Sequence, residues 1–467
     1  MSFVYYDLAF LVLFSVFLGI FLYKKRKKLE IQSKVFLLYR TKIGIKVIDW
    51  LGKKLGPCAG ILSNLAIITG FTLFIGIFIL LIQTVILMIQ IPTNIPPILP
   101  LLPYVPQLFK LPLPPFYFTY WIIIILIVAI VHEFAHGIFA KFHKLDVKAT
   151  GFGALGPFLA AFVELDEKKM ARKKPKKQMS ILAAGTFSNL IFAVIFLLIL
   201  QLFFSLAYTP IGIGGYIFAG TAIDFEEITG IGDYSLENFL DLSNQKLANI
   251  DGKVEVKTNL DSYYLTPYLI QQIALNKKLV LEKNSLPVYL GSPALKANLS
   301  GAIQKIGNTE IKNPEQVLLE LSNYNPGQIL KITTSDGEYE IVLDKHPQNS
   351  SRGFLGIGFI QIDNFRLFVS SLSSPYFSPF TIVEAKGNQE VTLFFKDLLW
   401  WLVLVSFLIA LFNMLPLPIT DGGKFLYIFT QKITKSKKIA MKVFKVFSSL
   451  VYLIFLLLIL IWLTNIF

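Results

Sequence analysis

Cysteine is all but missing from this chain: Cys58 stands alone among 467 residues. An intrachain disulfide and a thiolate metal cage are thereby excluded, and a metal ion would have to be held by nitrogen and oxygen. Charge is scarce as well. Charged residues make up 16% of the chain against 54% hydrophobic ones, and the mean hydropathy is +0.61. That balance excludes an ordinary soluble globule and a disordered chain, and points to a bilayer. Histidine is rarer still, with four in all.

Six apolar runs are long enough to cross a membrane at roughly 20 residues per crossing: about 4–23, 66–91, 117–140, 179–207, 399–415 and 446–466. The first lacks a small-residue cleavage site and ends in KKRKK, so it reads as a retained helix. The formal charge of +14 is unevenly spread, with 28 of the 44 Lys and Arg in residues 24–54, 141–177 and 424–445. Residues 208–398 carry 15 basic and 21 acidic residues, a net of −6. Basic charge confined to alternate loops is a topology signal and places those three loops in the cytoplasm. Both termini are then expected outside, with 208–398 beside them. Attraction to anionic lipid follows; a nucleic-acid role does not.

The expected fold class is therefore a polytopic α-helical membrane protein of about six crossings with one extramembrane α+β region. Residues 1–65 hold the first crossing and a basic segment whose KVFLLYRTKIGIKVIDWLGKKLG alternates apolar and basic residues at helical spacing, the pattern of an interfacial helix. Residues 66–116 add a crossing and an outer loop with nine prolines between Pro92 and Pro115, too many for helix or central strand. Residues 117–207 contain two crossings and, between them, GFGALGPFLAAFVELDEKK, too glycine-rich for a helix and too apolar for a solvated loop. A re-entrant hairpin fits both properties. Residues 399–425 and 426–467 supply the fifth and sixth crossings.

The third crossing carries VHEFAHGIFA near its end. Ionisable residues at such a depth cost about 2.5–3.5 kcal/mol on insertion scales and are usually functional or paired. Counting back from Lys141, His132 lies roughly 13 Å inside the cytoplasmic edge, at 1.5 Å per residue. His132 and His136 share a helix face, and Glu133 stands beside them, the arrangement in which two imidazoles bind zinc and a glutamate serves as general base. A catalytic zinc takes a third protein ligand. The fifth crossing ends in LFNMLPLPITDGG, where Pro416 and Pro418 stop the helix and Asp421 follows. The third and fifth crossings run in the same direction, so Asp421 is expected near the histidine pair if the chain folds back after Pro416. His143 and His346 stand apart and are read as structural.

These residues resemble the site-2 proteases, intramembrane zinc metalloproteases. HEFAH matches the family's H-E-x-x-H, and NMLPLPITDGG matches N-x-x-P-x-P-x-x-D-G at Asn413, Pro416, Pro418, Asp421 and Gly422. AAFVELDE at 160–167 is similar to the segment after the metal helix in the archaeal and eukaryotic branch. AAGTFSNL at 183–190 is similar to A-G-P-x-x-N, with Thr186 where proline is commoner. The resemblance implies one Zn2+ bound by His132, His136 and Asp421, Glu133 as catalytic base, and Asn189 and Asn413 as candidates to hold the substrate backbone or oxyanion. It further implies single-pass membrane proteins as substrates, unwound near the zinc and cut in regulated intramembrane proteolysis, with release of a cytoplasmic fragment. The glycine-rich segment 151–165 would offer them a strand edge.

Within 208–398, residues of about 285–362 order as a helix start near Ser292, a strand at AIQKI, a helix from Pro314 to Leu321 and two strands flanking Ser335-Asp336-Gly337. This resembles a circularly permuted PDZ domain, which implies recognition of a peptide or substrate tail by strand addition. Residues 208–290 take no assignment. The alternatives are a non-catalytic scaffold or transporter-like protein presenting the PDZ-like domain, and a prenyl-protein type of metalloprotease, whose third ligand is a downstream glutamate.

Overall fold

The computed structural model describes residues 3–32, 36–90, 96–109, 111, 113–155, 158–242, 252–259, 261–275, 277–359 and 380–466. It divides into two compact units, residues 1–202 with 390–467, and residues 203–389.

In the first unit, six described helices are long and apolar enough to cross a bilayer: Phe3–Lys25, Gly56–Gln90, Phe118–Phe142, Pro175–Ala207, Gln389–Phe412 and Lys437–Thr464. Several outrun the apolar stretches read from sequence, because helical hydrogen bonding carries on into polar flanks that hydropathy excludes. Small residues allow them to pack closely. Ala66, Ala135, Ala140, Ala183, Ala184 and Ala410 are all buried in one core with Leu73, Ile77 and Phe425. A second core, richer in aromatic residues, gathers Phe116, Phe118, Tyr120, Trp121 and Trp401.

Asp7, buried in the first helix, caps the helix Phe118–Phe142. Its carboxylate accepts from the backbone N–H groups of Phe118 (2.9 Å) and Thr119 (2.8 Å), the Thr119 hydroxyl (2.5 Å) and the Tyr104 hydroxyl. Free N–H groups at a helix start require such acceptors, above all where water is absent. Tyr104 belongs to the proline-rich segment, of which residues 91–95, 110 and 112 lie outside the described residues. Contrary to the expectation of no helix there, Val105–Leu108 makes one turn. Pro106 sits in its first turn, where a missing N–H costs nothing.

A four-stranded antiparallel sheet completes this unit: β1 (Leu29–Gln32), β2 (Phe36–Thr41), β3 (Val147–Leu155) and β4 (Phe158–Leu165), in that order. The interfacial helix expected over residues 34–56 is thus confined to Ile45–Lys54. FLLYRT instead pairs with β3, Arg40 opposite Gly151 and Tyr39 opposite Phe152. Its β-branched and aromatic content and the available edge of β3 outweigh the helical spacing. Gly151 is required here, since a Cβ would lie 2.2 Å from the Tyr39 carbonyl oxygen. The glycine-rich segment, expected as a re-entrant hairpin, forms the antiparallel pair β3 and β4, with residues 156 and 157 outside the described set. Among the described residues β4 is the free edge of that hairpin.

The second unit contains two larger sheets. Residues 208–290, unassigned from sequence, supply most of a five-stranded sheet ordered 220–224, 285–290, 262–265, 254–258, 228–231. It packs Ile223, Phe239, Val256, Ile270 and Leu286 into a core. The other sheet holds the segments read as PDZ-like: strands Ile303–Ile306, Ile329–Thr334 and Gly337–Val342 with the helix Pro314–Leu321. Asn313 caps that helix by accepting from Gln316 N–H at 2.9 Å. Two strands outside the expected segment, Tyr208–Ile213 and Thr381–Ala385, extend the sheet. Residues 360–362, the end of the PDZ-like assignment, lie outside the described residues.

Candidate metal centre

His132 and His136, one turn apart on the helix Phe118–Phe142, are both buried, and their Nε2 atoms lie 3.1 Å from each other. Asp421 joins them from a distant part of the chain. Its Oδ2 stands 3.2 Å from His132 Nε2 and 3.3 Å from His136 Nε2.

The turn that delivers Asp421 is built from its own motif. After the helix Gln389–Phe412 ends, Gly422 N–H donates to the Asn413 carbonyl at 2.8 Å, and the Thr420 hydroxyl donates to the Leu417 carbonyl at 3.1 Å. Both glycines are needed for close approach: a Cβ on Gly422 would lie 2.2 Å from the Met414 carbonyl oxygen, and one on Gly423 2.1 Å from that of Leu417. Asp421 then opens the helix Asp421–Thr434, where a carboxylate favours the helix N-terminus.

Three features fit a tetrahedral metal ion. With zinc bonds of about 2.0–2.1 Å, neighbouring ligand atoms should lie about 3.3 Å apart, and the three separations here are 3.1, 3.2 and 3.3 Å. Secondly, His136 Nδ1 donates to the Ile181 carbonyl at 2.7 Å, which keeps the proton off Nε2. Thirdly, room is reserved by Gly185 on the helix Pro175–Ala207. A Cβ at that position would lie 2.4 Å from His132 Cε1 and 2.6 Å from His136 Nε2.

Glu133 leaves the same helix toward the sheet, and its Oε2 accepts from Val163 N–H at 2.9 Å. Along an antiparallel strand, N–H groups point alternately toward and away from the partner. Val163 N–H and, by alternation, Ala161 N–H face the free edge of β4, so Glu133 sits on that edge. An apolar groove of about 320 Å³ between the first helix and the helix Phe118–Phe142, lined by Phe17, Phe21, Ile125 and Leu126, ends on Ala160 and Ala161.

Of the two asparagines, Asn189 is fully buried against the site, with its amide 3.2 Å from His132 Nδ1. Asn413 contributes its backbone to the turn before Asp421. His143 and His346 lie apart from the cluster: His143 Nε2 shares hydrogen bonds with Ser63 (3.3 Å) and Ser180 (2.7 Å), and His346 packs against Phe354. Burial pushes the His143 imidazole down to about 4, helped by Lys177 and Lys173. Sequence reasoning gave no site role to Ile181 or Val163, and met Gly185 only as part of AAGTFSNL. A glycine inside a helix costs about 1 kcal/mol relative to alanine, and that alone marks Gly185 as a packing position.

A model of peptidase family M50 matches residues 120–459. The chain belongs to this family. M50 is the family of the site-2 proteases, membrane-embedded zinc metalloproteases, as HEFAH and NMLPLPITDGG indicated. An uncharacterized protein of Methanocaldococcus jannaschii is 36% identical over 190 residues, 39% of this chain and 48% of that relative, so the match spans about half the relative's length. Its archaeal origin agrees with the branch to which AAFVELDE is similar. Among the described residues, the acidic partner of the two histidines is Asp421, an aspartate, as in the M50 pattern and unlike the prenyl-protein type.

Proposed function

We propose that this M50 protein is an intramembrane zinc metalloprotease that hydrolyses peptide bonds within transmembrane segments of single-pass membrane proteins. The observation that carries the reading is the convergence of His132 Nε2, His136 Nε2 and Asp421 Oδ2 at tetrahedral spacing around the space left by Gly185.

His132, His136 and Asp421 would hold the ion. When bound, zinc supplies a water acidic enough to react near neutral pH and an electrophile for the scissile carbonyl. Glu133 takes the proton of the attacking water on its carboxylate and returns it to the leaving amine. A helical substrate hides its carbonyls in backbone hydrogen bonds, and breaking these in lipid is costly. Pairing with the free edge of β4, beside Glu133, would replace them. The groove ending at Ala160 and Ala161 gives an apolar segment a lateral path to that edge. Asn189 and Asn413 are the candidates to hold the substrate backbone or the oxyanion. The PDZ-like segment would bind a peptide or substrate tail outside the membrane, and the cleaved product would leave toward the cytoplasm, as in regulated intramembrane proteolysis.

The test is to purify wild type and Glu133→Gln in detergent, measure bound zinc, and assay cleavage of a model transmembrane substrate. The variant should keep its zinc while cleavage falls by about 10²–10⁴-fold. Equal cleavage by the two proteins would remove the mechanism.

A further inference from the structure

The helix Pro175–Ala207 presents Ile181, Gly185 and Asn189, spaced four residues apart on one face, to the two imidazoles. Ile181 fixes His136 through a carbonyl, which can only accept. The contact at His132 is of a different kind. Asn189, fully buried, turns Nδ2 toward His132 Nδ1 at 3.2 Å. That orientation would require a lone pair on Nδ1, hence a proton on Nε2, where His136 and Asp421 converge. The two ends of an amide have nearly the same shape and are assigned from hydrogen bonding. Turned over, Asn189 meets the tautomer a metal ligand needs: Oδ1 accepts from His132 Nδ1–H, and Nε2 keeps its lone pair.

We propose that Asn189 is a positioning residue that accepts the His132 Nδ1 proton and so fixes the imidazole with Nε2 toward the metal. One helix face then orients both histidines, by a carbonyl at Ile181 and an amide oxygen at Asn189. The assignment removes Asn189 from the substrate-contact candidates, and it rests on the reading of His132, His136 and Asp421 as a zinc site.

Zinc affinity, measured by chelator competition on the full chain in detergent, tests it with four proteins: wild type, Asn189→Leu, Asn189→Asp and Asp421→Ala. Asn189→Leu should bind zinc about 10–100-fold more weakly, with the zinc-free melting temperature unchanged. Asn189→Asp, which keeps an acceptor, should return to within a few fold of wild type. Selective 15N-histidine spectra of the zinc-loaded wild type should show His132 protonated at Nδ1. Wild-type affinity in Asn189→Leu, or no recovery in Asn189→Asp, overturns the proposal. So does a rise in KM with zinc affinity unmoved, which would make Asn189 a substrate contact. If wild type and Asp421→Ala bind zinc equally, the zinc-site reading itself fails, and the assignment of Asn189 falls with it.

Discussion

At the scale of single residues, the site depends as much on an absent side chain as on those present. Gly185→Ala would put a methyl group 2.4 Å from His132 Cε1. Bound zinc, measured by atomic absorption, should fall from about one ion per chain toward zero, and cleavage with it. His143 gives a second prediction, read in pH. Its folded pKa, about 4, lies below the ordinary 6.5, so the unfolded chain binds the extra proton first as pH falls. Stability contributed by neutral His143 is complete above about 6.5 and is lost between 6.5 and 4. His143→Gln should flatten the melting temperature over that window. The three residues proposed as ligands could be picked from sequence because their chemistry sits in two short strings, HEFAH and NMLPLPITDGG. Gly185 and Ile181 were not legible as site residues, because their importance comes from which helix they face, and periodicity does not name a helix's neighbour.

At the scale of elements, the edge of β4 and the cap on the helix Phe118–Phe142 invite direct tests. Proline removes an N–H, which a strand tolerates where that group points outward. Ala161→Pro should leave the melting temperature nearly unchanged yet reduce cleavage at least tenfold, whereas Phe162→Pro, whose N–H faces β3, should destabilise the sheet. Full cleavage by Ala161→Pro would sink the strand-addition idea. Asp7→Ala leaves four donors without their carboxylate. A loss of about 2–3 kcal/mol is expected from unsatisfied buried groups, seen as an earlier thermal transition in detergent. Helices of the membrane unit were legible from apolar length, and the hairpin from glycine and proline. β2 was not, since Leu37, Leu38 and Tyr39 between basic residues satisfy a helical spacing as well as a strand, and only the waiting edge of β3 decides between them.

At the scale of the molecule, the basic loops predict the orientation of the chain in its membrane. Cys58, exposed and the single cysteine, is a natural reporter. An impermeant maleimide should label it only after permeabilisation of intact cells. In a Cys58→Ser background, Asn323→Cys should label without permeabilisation. The reverse pattern would invert the topology. The second unit was half legible: the strand and helix order of 292–342 followed from alternation and capping residues, while 208–290 gave too few apolar periodicities to assign, since its strands are short and come together out of chain order.

The family match begins at residue 120, yet β1 and β2 lie before it and close one flank of the sheet. β1 spans four residues, with Glu30 tied to Arg40, and follows a run of lysines; so short and charged a margin discourages newcomers. β4, eight residues long and rich in alanine, does not. A fragment trimmed to the family boundary would bare the nine-residue β3 as a second inviting seam, and such molecules should clump side by side. The early segment would thus leave the proposed strand addition a single direction, toward Glu133.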